Sequence, residues 1–196
     1  MPQGALQGAG VDPVWYVRGF TLLTEDTMVL TKPELIGALQ HEVHVLLHLT
    51  SKIDRSMLDY RPTPKQRSTL ELLKYLTNMG PGLIQAAKTG TFDRERFMEA
   101  SKIAEARDFD QTVAALAAHA EIYQSLLADM SDADFRTEIE MFGRKTTRGA
   151  FIVNMVLGGC AAYRTQLFLY LKACGRDELS TMSLWAGMDA PAPAAV

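Results

Sequence analysis

Three histidines stand close together early in the chain, and their spacing is compatible with metal binding. His41, His44 and His48 are three of the four histidines in the sequence. In a helix they would lie within about 60° of one another on one face. The first and last are separated by a rise of about 10 Å, so one ion would more easily take His44 with either neighbour. Because Lys52 and Asp59 share this face, we interpret it as a polar surface turned toward solvent or a partner subunit. Metal binding there is the weaker alternative.

The chain contains two cysteines, Cys160 and Cys174, of which Cys160 is a weak candidate for a nucleophile. They fall on one predicted helix with about 21 Å of rise between them, which is too far for a disulfide. A thiol buried among apolar side chains has a raised pKa and little reactivity, and no histidine neighbours Cys160 in the sequence. The low cysteine count and the lack of a recognisable signal peptide predict a reducing, cytoplasmic location.

Charge and hydrophobicity exclude two classes of partner. The chain has 196 residues, a net charge of -3 and a hydrophobic fraction of 47%. This balance supplies no basic field for a phosphate backbone, so we expect no nucleic-acid partner. The short basic cluster of Arg144, Lys145 and Arg148 is typical of a solvated surface. Apolar stretches at 151–157 and 167–171 are too short to span a bilayer, so we expect no membrane association.

The first two long helices are marked by capping signals. Thr31, Pro33 and Glu34 form an N-terminal capping pattern, and the apolar stripe that follows predicts a helix of about 28 residues that stops before Arg61. Ser68 and the Glu three residues later open a second helix in the same way. The segment 80–82, Gly-Pro-Gly, predicts a kink or a break in that second helix.

The second half of the chain contains two further long helices. Asp93 caps a short predicted helix through about Ala106, and a third long helix is predicted from 108 or 110 to about 128. Residues 137–147 are predicted to pair weakly as a hairpin around a glycine. The last helix, from about 147 to 173, is apolar nearly all round and ends at Gly175, which predicts burial on more than one side.

These elements predict an all-α four-helix bundle with a long crossover between helices two and three. We divide the chain into an N-terminal arm at 1–30, interpreted as poorly ordered, a bundle domain at 31–187 and a flexible tail at 188–196. Surplus apolar surface on the last helix predicts a homodimer.

The order of several motifs is similar to that of a known family. Arg-Pro-Thr-Pro at 61–64 precedes a Ser-start helix at 68–76, and much later comes Tyr-Arg-Thr-Gln-Leu at 163–167, followed by Tyr-Leu-Lys-Ala-Cys-Gly at 170–175. The set resembles the DinB-like (YfiT-like) four-helix-bundle superfamily over roughly residues 31–187. The resemblance implies a bundle fold, frequent homodimers, and relatives that include metal-dependent thiol transferases and isomerases.

The resemblance also implies where a metal would be held. Family members place one histidine on helix two and two on the last helix at i, i+4, around a divalent ion such as zinc or nickel. The matching positions here are Tyr75, Gly159 and Tyr163, and none is a histidine. A phenol with an unperturbed pKa of about 10 is a poor ligand for these metals at neutral pH. We therefore expect a degenerate metal site and no cofactor, with a divalent metal as the alternative.

The function that follows is a hypothesis about one pocket. Tyr75 and Tyr163, with Cys160, have two interpretations. The favoured one is that the two tyrosines only fill the former cavity. The other is a metal-free pocket, formed by Tyr75, Cys160 and Tyr163, that binds a small polar molecule. We therefore expect a homodimer that is non-catalytic or binds a small molecule without metal. The competing function is a metal- or thiol-dependent transferase or hydrolase. A third hypothesis, a pure assembly module, predicts a protein partner and no ligand. His119, alone on a helix, is interpreted as structural.

Overall fold

The computed structural model describes residues 30–191, where the chain forms short and long helices with one small hairpin. The N-terminal arm up to residue 29 and the tail from residue 192 lie outside the described residues. The elements are α1 Lys32–Thr50, α2 Thr69–Thr89, α3 Arg94–Glu105, α4 Phe109–Ala117, α5 His119–Leu127, α6 Asp132–Arg136, β1 Glu138–Met141, β2 Arg144–Thr147, α7 Arg148–Phe151, α8 Gly158–Ala173 and α9 Thr181–Trp185.

Four helical rods pack into a bundle, which confirms the predicted all-α class. The first two are α1 and α2. The third is α4 and α5, which share one helical path because Ala118 between them keeps right-handed helical dihedrals. The fourth runs from α7 into α8 through a π-helical segment, Ile152–Leu157. The largest fully buried side chains come from all four rods: Leu39, Leu49, Leu72, Leu73, Met79, Ile84, Leu116, Tyr123, Leu127, Ile152, Leu167 and Leu171.

The predicted crossover is helical. Asp93 caps α3 by accepting a hydrogen bond from the Arg96 amide at 2.9 Å. α3 lies against α2, where Asn78 Nδ2 donates to the Phe97 carbonyl and to Ser101 Oγ, both at 2.9 Å. The crossover thus returns along the outside of α2 before α4 begins.

The first helix is shorter than the sequence predicts. α1 ends at Thr50, and a separate 3₁₀ turn covers Arg55–Met57, so the predicted continuous helix to Arg61 is wrong. The hydroxyls of Thr50 and Ser51 bond back to the carbonyls of Leu47 and His48 at 2.8 and 2.7 Å, which satisfies backbone groups of the last turn. Met57 lies beyond the end of α1, but its side chain is still buried in the core.

The second helix passes through its proline without interruption, so of the predicted kink or break the break is absent. A proline at 81 removes the N–H that would bond to the carbonyl of Thr77. His119 Nε2 lies 3.0 Å from that carbonyl oxygen and donates to it instead. A side chain of α5 therefore supplies the hydrogen bond that α2 lacks.

The glycines beside Pro81 allow close contact with neighbouring helices. A Cβ at Gly80 would lie 2.9 Å from Cζ of Tyr123, and a Cβ at Gly82 would lie 2.9 Å from Cδ2 of Phe97. Both distances are too short for carbon atoms in ordinary contact. The Gly-Pro-Gly segment is therefore the place where α5 and α3 approach α2 most tightly, not a break.

The hairpin and the end of the last long helix follow the sequence prediction. β1 and β2 are antiparallel, with Glu138 opposite Thr147 and Met141 opposite Arg144. Phe142 and Gly143 connect them with φ values of 53° and 73°, the pattern of a type I′ turn. The last helix ends at Ala173, followed by Gly175 with φ of 92°. The π-helical segment in that rod has no signature in the sequence that we recognised.

The bond from His119 to Thr77 yields a stability prediction. Replacing His119 with Phe leaves a buried carbonyl unpaired and should cost about 1–3 kcal/mol of unfolding free energy. In a Pro81→Ala background the new amide can donate to Thr77, so the same replacement should cost about 1 kcal/mol less. Chemical denaturation of the two single variants and the double variant measures this coupling. Strict additivity of the two changes would contradict the assigned role of His119.

Candidate functional site

Two tyrosines meet between α2 and α8. The ring centroids of Tyr75 and Tyr163 are 5.2 Å apart with planes at 71°, an edge-to-face contact. The Arg67 guanidinium carbon lies 3.9 Å from the centroid of the Tyr75 ring. Burial, followed by the hydrogen bond and the charge of Tyr163, raises the pKa of Tyr75 to about 12, while Arg67 opposes the shift. At neutral pH this side chain is a phenol and not an anionic ligand.

One helical turn further along, a methionine faces a glycine. A Cβ at Gly159 would lie 3.3 Å from Cε and 3.5 Å from Sδ of Met79, which is 1% exposed. Met79 follows Tyr75 by four residues on α2, and Gly159 precedes Tyr163 by four on α8. The two helices therefore contact each other in two successive layers, ring against ring and thioether against glycine.

Cys160 lies in a different group of side chains from the two tyrosines. Its thiol interacts with the hydroxyl of Tyr123, whose Oη is 3.3 Å from Nδ1 of His119. Burial raises the pKa of Cys160 to about 11, with Tyr123 opposing and Glu42 adding to the shift. These four side chains line a cavity of about 10 Å³, which is room for roughly one water molecule. Cys160 is thus a buried thiol with little thiolate at neutral pH.

A buried ion pair joins α1 to α8 beside this cavity. Arg164 Nε lies 3.1 Å from Glu42 Oε2, and the two side chains are 4% and 10% exposed. Neither atom has a hydrogen-bonding partner of good geometry among the described residues, so the attraction is mainly electrostatic. Burial raises the pKa of Glu42, and Arg164 opposes that rise. Arg164 also donates to the carbonyl of Leu184 at 2.6 Å and lies against the Trp185 ring, which ties α9 to the bundle.

Sequence reasoning missed this ion pair, although a signal was present. Glu42 falls on the buried stripe of α1, between Leu39 and Leu46. Arg164 falls on the buried face of α8 that also carries Leu167. A charge of each sign in an otherwise apolar stripe indicates a paired interior, and both positions could have been found in this way.

The three histidines of α1 lie beneath the C-terminal segment. His41 Nε2 is 2.8 Å from the carbonyl of Trp185, and His48 Nε2 is 3.5 Å from a carboxylate oxygen of Asp189. His44 faces Gly187, where a Cβ would lie 2.8 Å from its ring. The polar face of α1 is therefore partly covered by the same chain, and the three side chains contact different parts of it.

Metal-ligating side chains are not clustered in the part of the chain that the structure describes. Among residues 30–191 there is no group of three or more His, Cys, Asp or Glu side chains placed to hold one ion. The ring centroids of His41 and His44 are 6.4 Å apart. Over the same residues, no helix has the length and apolar character that crossing a bilayer requires.

A polar cleft opens next to Tyr75. It measures about 410 Å³ and lies between α2 and α3, with Arg67, Lys74 and Tyr75 on one wall and Phe97 and Glu105 on the other. Of the three pocket residues that the sequence singled out, Tyr75 lines this cleft, Tyr163 contacts Tyr75, and Cys160 belongs to the separate interior cavity.

Comparison with solved structures shows the fold. A crystal structure of a DinB-like protein, YjoA, from Bacillus subtilis superimposes with a TM-score of 0.58 and 21% sequence identity, covering 74% of this chain and 94% of that one. No protein-family model matches the chain. No curated protein sequence matches it either. The DinB-like bundle is therefore established as the fold.

The buried imidazole of His119 predicts a pH dependence of stability. Burial lowers its pKa to about 4 from 6.5, while the bond to Thr77 opposes the shift. Between pH 6.5 and about pH 4, His119 is protonated in the unfolded chain but stays neutral in the folded chain. The free energy of unfolding therefore decreases as the pH falls. The full loss is about 3 kcal/mol.

A His119→Gln variant is the matched control, because its amide can donate to Thr77 but does not titrate. Unfolding free energies of both proteins, measured by urea denaturation from pH 7 to pH 4 at about half-unit steps, should diverge as the pH falls. Parallel curves would show that His119 does not resist protonation in the folded state.

Proposed function

We propose that this chain is a DinB-like bundle without the histidine metal centre, and that it binds a small molecule without metal as a cytoplasmic homodimer. One observation carries the proposal. The positions that the resemblance assigns to metal ligands are occupied by a tyrosine pair in edge-to-face contact and by a glycine against Met79. The space that an ion and three imidazoles would need is taken by side chains in van der Waals contact.

Ligand chemistry supports the same conclusion. A phenol binds zinc or nickel well only as phenolate, and the pKa of Tyr75 is raised to about 12. Gly159 has no side chain to offer. Moving Met79 aside to admit an ion would also expose a thioether that is now 1% exposed, which costs hydrophobic stabilisation.

The cleft between α2 and α3 supports the small-molecule part of the proposal. At about 410 Å³ it falls within the usual size range of ligand sites, and it has both polar and apolar walls. Tyr75 lies between this cleft and the packed layer of Tyr163. A ligand in the cleft would contact the part of the same phenol that Arg67 leaves uncovered.

A thiol-dependent transferase or hydrolase is the less supported alternative. Cys160 would be the nucleophile, but burial raises the pKa of its thiol to about 11, and it opens only onto a cavity for about one water. Cys174 is partly exposed, and burial raises its pKa as well. Both cysteines are free, which is consistent with the proposed cytoplasmic location.

The outer face of the last rod supports the homodimer. Five exposed positions recur at alternating spacings of three and four residues and carry no charge: Met155, Gly158, Ala162, Thr165 and Leu169. Met155 and Leu169 at the two ends are 40% and 58% exposed. This spacing is that of a helix–helix seam, and the small residues at its centre permit close approach of a second copy.

Restoring the histidines tests the metal part of the proposal. The variant with Tyr75→His, Gly159→His and Tyr163→His, combined with Met79→Ala to make room, should retain zinc or nickel after dialysis, and the unaltered protein should not. Elemental analysis of tag-free protein measures both. A variant with Glu121→His and Ser125→His places two histidines on the exposed side of α5, outside the proposed seam, and controls for adventitious binding. Stoichiometric metal in the unaltered protein, lost on His44→Ala, would refute the proposal.

A charge placed in the seam tests the dimer. Ala162→Glu should convert the protein to a monomer, because two carboxylates would meet at the centre of the interface without partners. Gln124→Glu adds the same charge to the exposed side of α5 and should leave the dimer intact. Sedimentation velocity distinguishes the two states. A monomeric unaltered protein, or an Ala162→Glu variant that stays dimeric, would exclude this interface.

A further inference from the structure

The charges that line the α2–α3 cleft are not equally available to a ligand. Glu71 accepts hydrogen bonds from the Ser68 amide at 2.8 Å and from Arg61 at 3.1 Å. Lys74 donates from Nζ to the Glu105 carbonyl at 2.8 Å. Both side chains are therefore already held by the protein itself.

Arg67 is the positive charge in the cleft that remains available for a ligand. Within residues 30–191 its guanidinium has no hydrogen bond or ion pair, and it stacks on the face of the Tyr75 ring at 3.9 Å. Its positive charge also helps to lower the pKa of Glu71. A guanidinium stacked on a ring keeps its N–H edges free for a planar carboxylate. The stacked guanidinium can therefore still form the paired N–H···O hydrogen bonds that arginine makes with a carboxylate.

The backbone holds Arg67 in place. The hydroxyl of Tyr170, a residue of α8 that is 2% exposed, donates to the Arg67 carbonyl at 3.0 Å. The next residue, Ser68, is the N-cap of α2 and is itself buried. With its main chain fixed and its head group stacked, Arg67 loses little conformational freedom when it binds an anion.

The lining also contains a carboxylate that disfavours a second negative charge. Glu105 ends α3 on the facing wall, and its carboxylate has no hydrogen bond or ion pair within the described part of the chain. The rest of the lining combines apolar surface with two polar side chains that bond to each other: Tyr75, Phe97, Ala104, Asn78 and Ser101. The lining therefore offers Arg67 to one anion, apolar surface to the body of a ligand, and a carboxylate that repels further negative charge.

We propose that this cleft binds a small monocarboxylate with an apolar or aromatic body, its carboxylate paired with Arg67 and its body against Tyr75 and Phe97. The inference rests on the proposed function and names the ligand class for the same site. Arg67 is the residue that distinguishes an acid from its uncharged amide.

Benzoate and benzamide are suitable probes, because they share a shape and differ in charge. Isothermal titration calorimetry on the full chain should show benzoate binding at least about tenfold more tightly than benzamide. Arg67→Gln should weaken benzoate by at least about tenfold and leave benzamide unchanged, while Arg67→Lys should retain part of the preference. Lys65→Gln removes the same charge from the same loop outside the cleft and should change neither affinity by more than about twofold.

The outcomes separate this inference from the proposal on which it rests. If both probes bind equally, or if Arg67→Gln does not change the affinity for benzoate, the carboxylate assignment is wrong. Either result is still compatible with a metal-free small-molecule site. Failure of benzoate to bind the unaltered protein also overturns it. Binding of benzoate only after zinc or nickel is added contradicts the metal-free function itself.

Discussion

A single backbone carbonyl, that of Thr77, organises the interior of this bundle. Pro81 deprives it of its helical donor, and His119 from another helix replaces the missing N–H at 3.0 Å. An unpaired carbonyl at this depth would be costly, so the bond sets the position of α5 against α2. Gly80 then admits the Tyr123 ring, and Tyr123 reaches the thiol of Cys160 on α8. The contacts around Pro81 thus link three of the four rods, which are those of α2, α5 and α8.

The alignment of α2 and α8 determines what the centre of the bundle can hold. In each of the two contacting layers the partners are complementary in size or shape. Tyr75 and Tyr163 meet edge to face, and Met79 occupies the space left by Gly159. Protein interiors are densely packed, and we propose that an additional ion could enter these layers only by displacing a side chain. The remaining accessible space lies outside this packing, on the α3 side of Tyr75.

Local signals in the sequence predicted much of the fold. Capping boxes at Ser68 and Thr31, the glycine in the hairpin and Gly175 after the last helix each mark a boundary that the structure confirms. Such features are local because a cap or a turn needs only neighbouring residues. The four apolar stripes were sufficient to predict a bundle.

The failures of prediction have both long-range and local causes. The continuity of α2 through Pro81 depends on a histidine 38 positions later in the chain, which no local rule contains. The early end of α1 depends on two hydroxyls that return to its own carbonyls, although the apolar pattern continues to Met57. The apolar stripes mark Glu42 and Arg164 as buried, but their pairing with each other becomes visible only when the two helices are packed together. At the candidate site, the sequence identified Tyr75 and Tyr163 as neighbours, whereas the separate environment of Cys160 required the structure.

The absence of room for a cation between α2 and α8 is the central claim, and anomalous diffraction tests it directly. Crystals of tag-free protein grown with zinc, measured at the zinc absorption edge, locate every bound ion without reference to activity. We expect no anomalous peak between Tyr75 and Tyr163, and a Met79 side chain in contact with Gly159. A strong peak in that layer, with either phenol oxygen or a displaced Met79 beside it, would refute the metal-free packing.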